Sequence, residues 1–210
     1  MNRRSTVPPG RLEAPRRYLG LLFVAVAMAA CSSPPPLRHE HPAALQRDQL
    51  HDFVLVGRFT LRHATQNHAG RIEWQHAGAS DTLLLASPFG QGIAEITGDA
   101  NGARLRSSDG SERTAASSDE LLQTVLGYPV GLARLLAWLR GGHSEDGAVE
   151  RDALGRPLRL RHEDWRIAYE YDDDTPQALP GRLFVEREGG FVLRLRIDEW
   201  RLPGATDAPQ

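Results

Sequence analysis

From Leu50 onward the chain alternates apolar and polar residues over one short stretch after another, and no feature limits its fold more. Side chains of a strand point to opposite faces in turn, so this period marks strands with one face buried. Phe53, Leu55, Gly57, Phe59 and Leu61 share one face while Arg58, Thr60 and Arg62 take the other. Ile72 and Trp74 alternate with Arg71, Glu73 and Gln75, and Phe191, Leu193, Leu195 and Ile197 alternate with Arg194, Arg196 and Asp198. Further strands are expected over 82–86, 92–97, 103–107, 157–162, 165–171 and 182–188. Asp109-Gly110 and Gly189-Gly190 supply hairpin turns that require positive φ. Many strands joined by turns make a mainly β protein whose antiparallel sheet is large enough to curl.

One interruption breaks the alternation. Ser117 and Glu120 form a capping pattern ahead of Leu121, Leu122 and Val125 at helical spacing, and Gly127 stops that helix. A second helix is expected from Pro129, with Leu132, Leu135, Leu136 and Leu139 on one face and Gly141-Gly142 as its stop. Helices over 119–126 and 130–140 must bury their apolar faces against the sheet, as a lid or a plug.

The first 30 residues do not belong to the folded domain. Arg16 and Arg17 precede an apolar run, Tyr18 to Ala30, that ends in small residues and reads as a secretion signal. The run falls short of the ~20 residues of a membrane span. Met28-Ala29-Ala30-Cys31 resembles a lipobox, in which the cysteine becomes the first mature residue and carries three acyl chains. Cys31 is the sole cysteine, and acylation caps a thiol that would otherwise stay reactive in an oxidising compartment. Ser32 follows it, and the sorting rule for such signals then implies the outer membrane. Four prolines among residues 32–44 make residues 31–49 a lipidated, extended tether. A single domain is expected over 50–202, with a disordered tail at 203–210.

Composition excludes several chemistries. All 25 basic residues are Arg and none is Lys, so a Walker A loop, a Schiff-base lysine and a Ser-x-x-Lys nucleophile are impossible. No G-x-S-x-G, H-E-x-x-H or paired-cysteine motif occurs, and His39 and His41 lack a third metal ligand. Asp172-Asp173-Asp174 lacks the spaced ligands of a calcium loop. No catalysis, metal or cofactor is expected. Without residues 1–30, which remove five arginines and one glutamate, 20 Arg face 26 acidic residues, a net charge of −6. Nucleic acid is not an expected partner, and contact with an anionic membrane should be apolar rather than electrostatic.

The turn Ser87-Pro88-Phe89-Gly90 follows a leucine-rich strand. Pro88 ends sheet pairing and sets Phe89 at the tip, where it either projects toward lipid or a partner, or folds back into the core.

The mature sequence resembles the LolB family over nearly its whole length. The resemblance rests on Phe53, Gly57 and Phe59; Trp74; Leu83, Leu85 and Ser87-Pro88-Phe89-Gly90; and Gly127, Pro129, Val130, Leu132, Leu135, Trp138, Leu139 and Gly141. It continues through Asp152, Gly155 and Arg156; Trp165, Ile167 and Tyr169; Leu179-Pro180; and Leu193, Leu195, Ile197 and Trp200. It implies an unclosed antiparallel β-barrel with a helical lid over an apolar cavity. It also implies a receptor, monomeric and not an enzyme, that takes triacylated lipoproteins from a LolA-like periplasmic carrier and places them in the outer membrane. Pro88, Phe89 and Gly90 would then form the membrane-insertion loop, whose tip is usually Leu in that family. The expected acyl-chain cavity residues are Phe59, Trp74, Leu83, Leu85, Leu135, Leu139, Trp165 and Tyr169, some of which belong to ordinary filled core. The alternative is an outer-membrane scaffolding or small hydrophobic ligand-binding lipoprotein. An apolar void under the lid separates the two.

Overall fold

The computed structural model describes Arg47 and residues 50–128, 130–142 and 147–203. The signal, Cys31, the tether up to Gln46, Pro129 and the tail from residue 204 lie outside the described residues. Backbone contacts divide the chain at His39, and every strand and helix described belongs to the unit Glu40–Gln210.

Eleven strands form one antiparallel sheet: β1 (Asp52–His63), β2 (Gln66–Ala77), β3 (Ser80–Ala86), β4 (Gly92–Asp99), β5 (Gly102–Ser107), β6 (Glu112–Ala115), β7 (Ala148–Arg151), β8 (Pro157–His162), β9 (Trp165–Glu170), β10 (Arg182–Arg187) and β11 (Phe191–Arg201). Each strand except β6 pairs with the next in sequence, and β1 pairs with β11. The series therefore breaks at a single place, between β6 and β7. Two helices, α1 (Ser118–Leu126) and α2 (Leu132–Leu139), lie in sequence between these two edge strands. The barrel is thus open between two consecutive strands, and the chain crosses that gap as helix.

Alternation in the sequence becomes alternation in burial. Leu83 and Leu85 of β3, Ala94 and Ile96 of β4, and Leu193, Leu195 and Ile197 of β11 are buried, with exposed or half-buried residues between them. At the bulge in β1, a Cβ on Gly57 would run into the Arg196 carbonyl, so only glycine fits there. The short edge strands β6 and β7 carry almost no buried residue, which is why alternation does not reveal them.

The helices follow their sequence signals with one shift. The Ser117 hydroxyl accepts from the Glu120 amide at 3.4 Å and Gly127 closes α1 at φ 70°. The second helix begins at Leu132 rather than at Pro129, because Gly131 is extended and the Leu132 amide donates to the Asp119 carboxylate at the start of α1. One helix caps the other. Both press their apolar residues inward: Leu121 and Leu122 of α1, and Leu132, Leu135, Trp138 and Leu139 of α2, are buried. Trp138 packs 5.0 Å from Trp165 of β9, ring centre to ring centre.

The strands have two distinguishable ends. One holds the start of β1 and the end of β11, and there Arg47 is almost wholly buried with its guanidinium donating to the carbonyls of Pro176 and Ala178. The other holds the turn from β3 to β4, which contains Phe89.

Candidate functional site

Between the inner face of the sheet and the two helices lies a small void with wholly apolar walls. Strand residues Phe59, Leu61, Ile72, Leu83, Leu85, Leu193 and Leu195 form one side, and Leu122, Leu126, Val130, Leu132 and Leu135 form the other. Its volume is about 40 Å³, room for a few water molecules at most. Sites that enclose ligands run to roughly 300–1,000 Å³, so the barrel is nearly filled in this structure. A larger hollow of about 740 Å³ lies outside it, along α1, α2 and β10, but Asp119, Glu120, Arg134 and Arg187 line it. A charged lining gives an alkyl chain no shelter, so the smaller void is the better candidate.

Of the eight expected cavity residues, Phe59, Leu83, Leu85 and Leu135 line the void. Leu139 is fully buried outside its lining. Trp74 packs edge-on against Phe53 and donates its indole N–H to Asp81 at 2.8 Å. Trp165 lies against Trp138 and Phe191, with the guanidiniums of Arg134 and Arg187 each about 5 Å from its ring centre. Tyr169 donates its hydroxyl to the Trp138 carbonyl at 3.0 Å, and burial holds that hydroxyl above the usual phenol range. Trp165 and Tyr169 support α2 where it meets the barrel, whereas Trp74 packs among strand residues. Leu61, Leu193, Leu195, Leu122 and Leu132 complete the walls, and their inward alternation or helical spacing was the available signal. Ile72, Leu126 and Val130 also line the void, and only Ile72 stood in a readable alternation.

Few polar contacts hold the lid. Besides the Tyr169 hydrogen bond, the Arg140 guanidinium donates to the Leu50 carbonyl at 2.6 and 3.1 Å. Arg187 donates to the Tyr128 hydroxyl at 2.9 Å and to Asp164 at 2.7 Å. Each such contact contributes a net ~0.5–1.5 kcal/mol, or ~1.5–3 where a charge takes part. Releasing them costs a few kcal/mol; the buried apolar faces of α1 and α2 add a larger cost, which a guest offsets only by taking their place against the sheet.

Phe89 projects. It is 93% exposed, on a turn closed by the Gly90 amide donating to the Ser87 carbonyl at 2.9 Å, with Gly90 at φ 87°. Leu84 and Ile93 of the same hairpin are 44% and 40% exposed. Three of the four large apolar residues exposed among the described residues therefore share this corner. Cys31 lies outside the described residues. Among those residues no three His, Cys, Asp or Glu side chains gather as a metal site, and no helix is long and apolar enough to cross a membrane.

The chain has relatives among known proteins. The family model described as outer membrane lipoprotein LolB matches residues 51–200. The chain is 38% identical to an outer-membrane lipoprotein LolB of Dechloromonas aromatica (strain RCB), an alignment covering 89% of this chain and 98% of that one. It is 37% identical to the same protein of Azoarcus sp. (strain BH72), covering 89% and 97%. Among solved structures it is similar to a LolA superfamily protein from Nitrosomonas europaea, with a TM-score of 0.48 and 12% identity over 76% of this chain and 91% of the other.

Proposed function

Because this chain belongs to the LolB family of outer-membrane lipoproteins, we propose that it receives triacylated lipoproteins from a LolA-like periplasmic carrier and inserts them into the outer membrane. The observation that carries this reading is the all-apolar void under a lid held by few polar contacts. Three acyl chains of about 14 methylenes each would cost on the order of 30 kcal/mol in water. The cargo must therefore pass from one apolar shelter to another. An acyl guest that takes the place of the lid's apolar faces against the sheet can open the barrel that shelters it. With no lysine for a Walker A loop, transfer runs downhill in affinity from carrier to receptor to bilayer.

Cys31, acylated, anchors the protein in the outer membrane. Pro88, Phe89 and Gly90 form the loop that meets the bilayer, and Phe89 contributes roughly 1.5–3 kcal/mol when buried in it. The test is transfer. Carrier loaded with radiolabelled lipoprotein is mixed with vesicles bearing the full lipidated chain, and cargo is followed first to the receptor and then into bilayer free of it. Cargo that stays on the carrier, or reaches the vesicles as fast without the receptor, overturns the reading.

A further inference from the structure

The outward face of the barrel carries a charge pattern that the net charge conceals. Strand register sets Arg182 opposite Arg196, Arg196 opposite Arg58, and Arg58 opposite Arg71. Arg71 in turn stands opposite Ala86, the last residue of β3 before the Phe89 turn. Four arginines thus form a row that ends beside the projecting loop. Like charges directly opposite destabilise a sheet, and carboxylates offset three of the four: Glu170 with Arg182 at 2.7 Å, Asp172 with Arg196 at 2.7 Å, and Asp198 with Arg58 at 2.8 Å.

Arg71 has no carboxylate within ion-pairing distance among the described residues, and its charge reaches only Asp198, which already pairs with Arg58. Neither Arg71 nor Arg62 nor Arg194 makes a side-chain hydrogen bond or ion pair with a described residue, and all three are exposed. Arg194 stands opposite Thr60, and Arg62 opposite Val192 and Asn67, nearer the loop end of the strands, where they flank a shallow hollow of about 320 Å³. Two carboxylates, Glu73 of β2 and Glu95 of β4, stand on either side of Leu84 in the Phe89 hairpin, on the side of β1 away from Arg194. Arg62, Arg71 and Arg194 therefore stand together on the half of this face nearer the Phe89 turn, while other exposed arginines without an ion pair, such as Arg104 and Arg161, are scattered on other strands.

We infer that this corner docks on anionic phospholipid, with Arg62, Arg71 and Arg194 taking headgroup phosphates while Phe89 enters the acyl region. Guanidinium binds phosphate in a two-pronged geometry, and an apolar tip bordered by cations matches the layering of an anionic bilayer surface. The inference rests on the reading that the Phe89 loop engages the membrane, and adds the lipid class it prefers. One arginine near such a surface is worth about fivefold in binding, so three give on the order of a hundredfold at low salt, lost as salt shortens the screening length to about 3 Å.

The full lipidated chain carrying an environment-sensitive fluorophore at Gln91→Cys is placed on vesicles of phosphatidylcholine, alone or with about one-third phosphatidylglycerol. The probe should enter lipid more on the anionic vesicles. The Arg62→Gln/Arg71→Gln/Arg194→Gln variant should lose that gain but keep its melting temperature, and Arg159→Gln/Arg166→Gln, exposed elsewhere, should keep the gain. Equal entry into both vesicles, or an unchanged triple variant, overturns the inference and leaves the loop reading intact. Failure of the probe to enter any vesicle overturns both. A triple variant that engages anionic vesicles normally but accepts cargo poorly assigns the arginines to an acidic carrier surface and overturns the lipid assignment.

Discussion

The Tyr169 hydroxyl donates to the Trp138 carbonyl at 3.0 Å, a buried link from β9 to the last turn of α2. It ties the lid to the frame. The Trp138 carbonyl also accepts from the Gly141 amide at 2.9 Å, so losing the phenol leaves no orphaned acceptor. Tyr169→Phe should cost about 1 kcal/mol and raise hydrogen exchange of residues 132–139 roughly fivefold, with β1 and β2 unchanged. Uniform acceleration across the domain would mean that the lid does not open on its own.

Leu135 faces the void from α2. Leu135→Asp sets a carboxylate against an apolar wall, at a cost of several kcal/mol, and acceptance of cargo from the carrier should fall at least tenfold. Leu135→Met, close in volume, should accept cargo nearly as the parent does. Normal acceptance by a folded Leu135→Asp protein would remove this wall from the cargo path.

Phe89 should act after acceptance. Phe89→Glu should fold, anchor and take cargo from the carrier, yet release it into the bilayer at least tenfold more slowly. Phe89→Leu should be nearly silent. Scoring the two transfers separately checks this, and a defect already present at acceptance would make Phe89 a docking residue.

Cys31 should be the acylated mature N-terminus. Cys31→Ala should leave the circular dichroism of the domain unchanged while preventing lipidation and cleavage at this site. Intact-mass spectrometry finding a free thiol at position 31 of the parent protein would contradict the assignment.

Acid should loosen the corner around Arg156. Burial raises the pKa of Asp152, but hydrogen bonds from the Arg156 guanidinium at 2.7 Å and from the Arg156 and Leu154 amides outweigh it, and the carboxyl titrates below its ordinary range. A depressed folded value means stability that is present above the unfolded value of about 3.8 and lost as pH falls through the folded one. Asp152→Asn should therefore lower the melting temperature at pH 7, and the gap from the parent should narrow below about pH 4. A gap that stays constant down to pH 2 would show that the charge of Asp152 contributes nothing.

Alternation made most of the barrel legible, because burial on one face is what writes a period of two into Leu83, Leu85, Leu193 and Leu195. It failed where no face is buried, as in β6 and β7, and at the two turns where Ala64 and Glu163 adopt positive φ in place of glycine. The cavity was legible as a face but not as a hollow. Trp74 and Trp165 are large and inward, yet they fill space instead of bounding it, since size does not distinguish a wall from a plug. Phe89 left two readings open because proline and glycine fix a turn without fixing which way its tip points. The arginine row needs strand register, which pairs Arg58 with residues 13 and 138 positions away, a relation no local pattern contains.

Arg47 enters the domain at the end of the strands opposite the Phe89 turn. In a receptor acylated at Cys31 and active through Phe89, as proposed above, the tether would reach Arg47 at the pole away from the tip, and bringing that tip to the receptor's own membrane would take a somersault. About 16 residues separate Cys31 from Arg47, a leash of at most ~55 Å. The 12 residues of β1 span about 40 Å. A leash longer than β1 would allow the somersault, and shortening it by half a dozen residues should keep the tip from the membrane that holds the anchor.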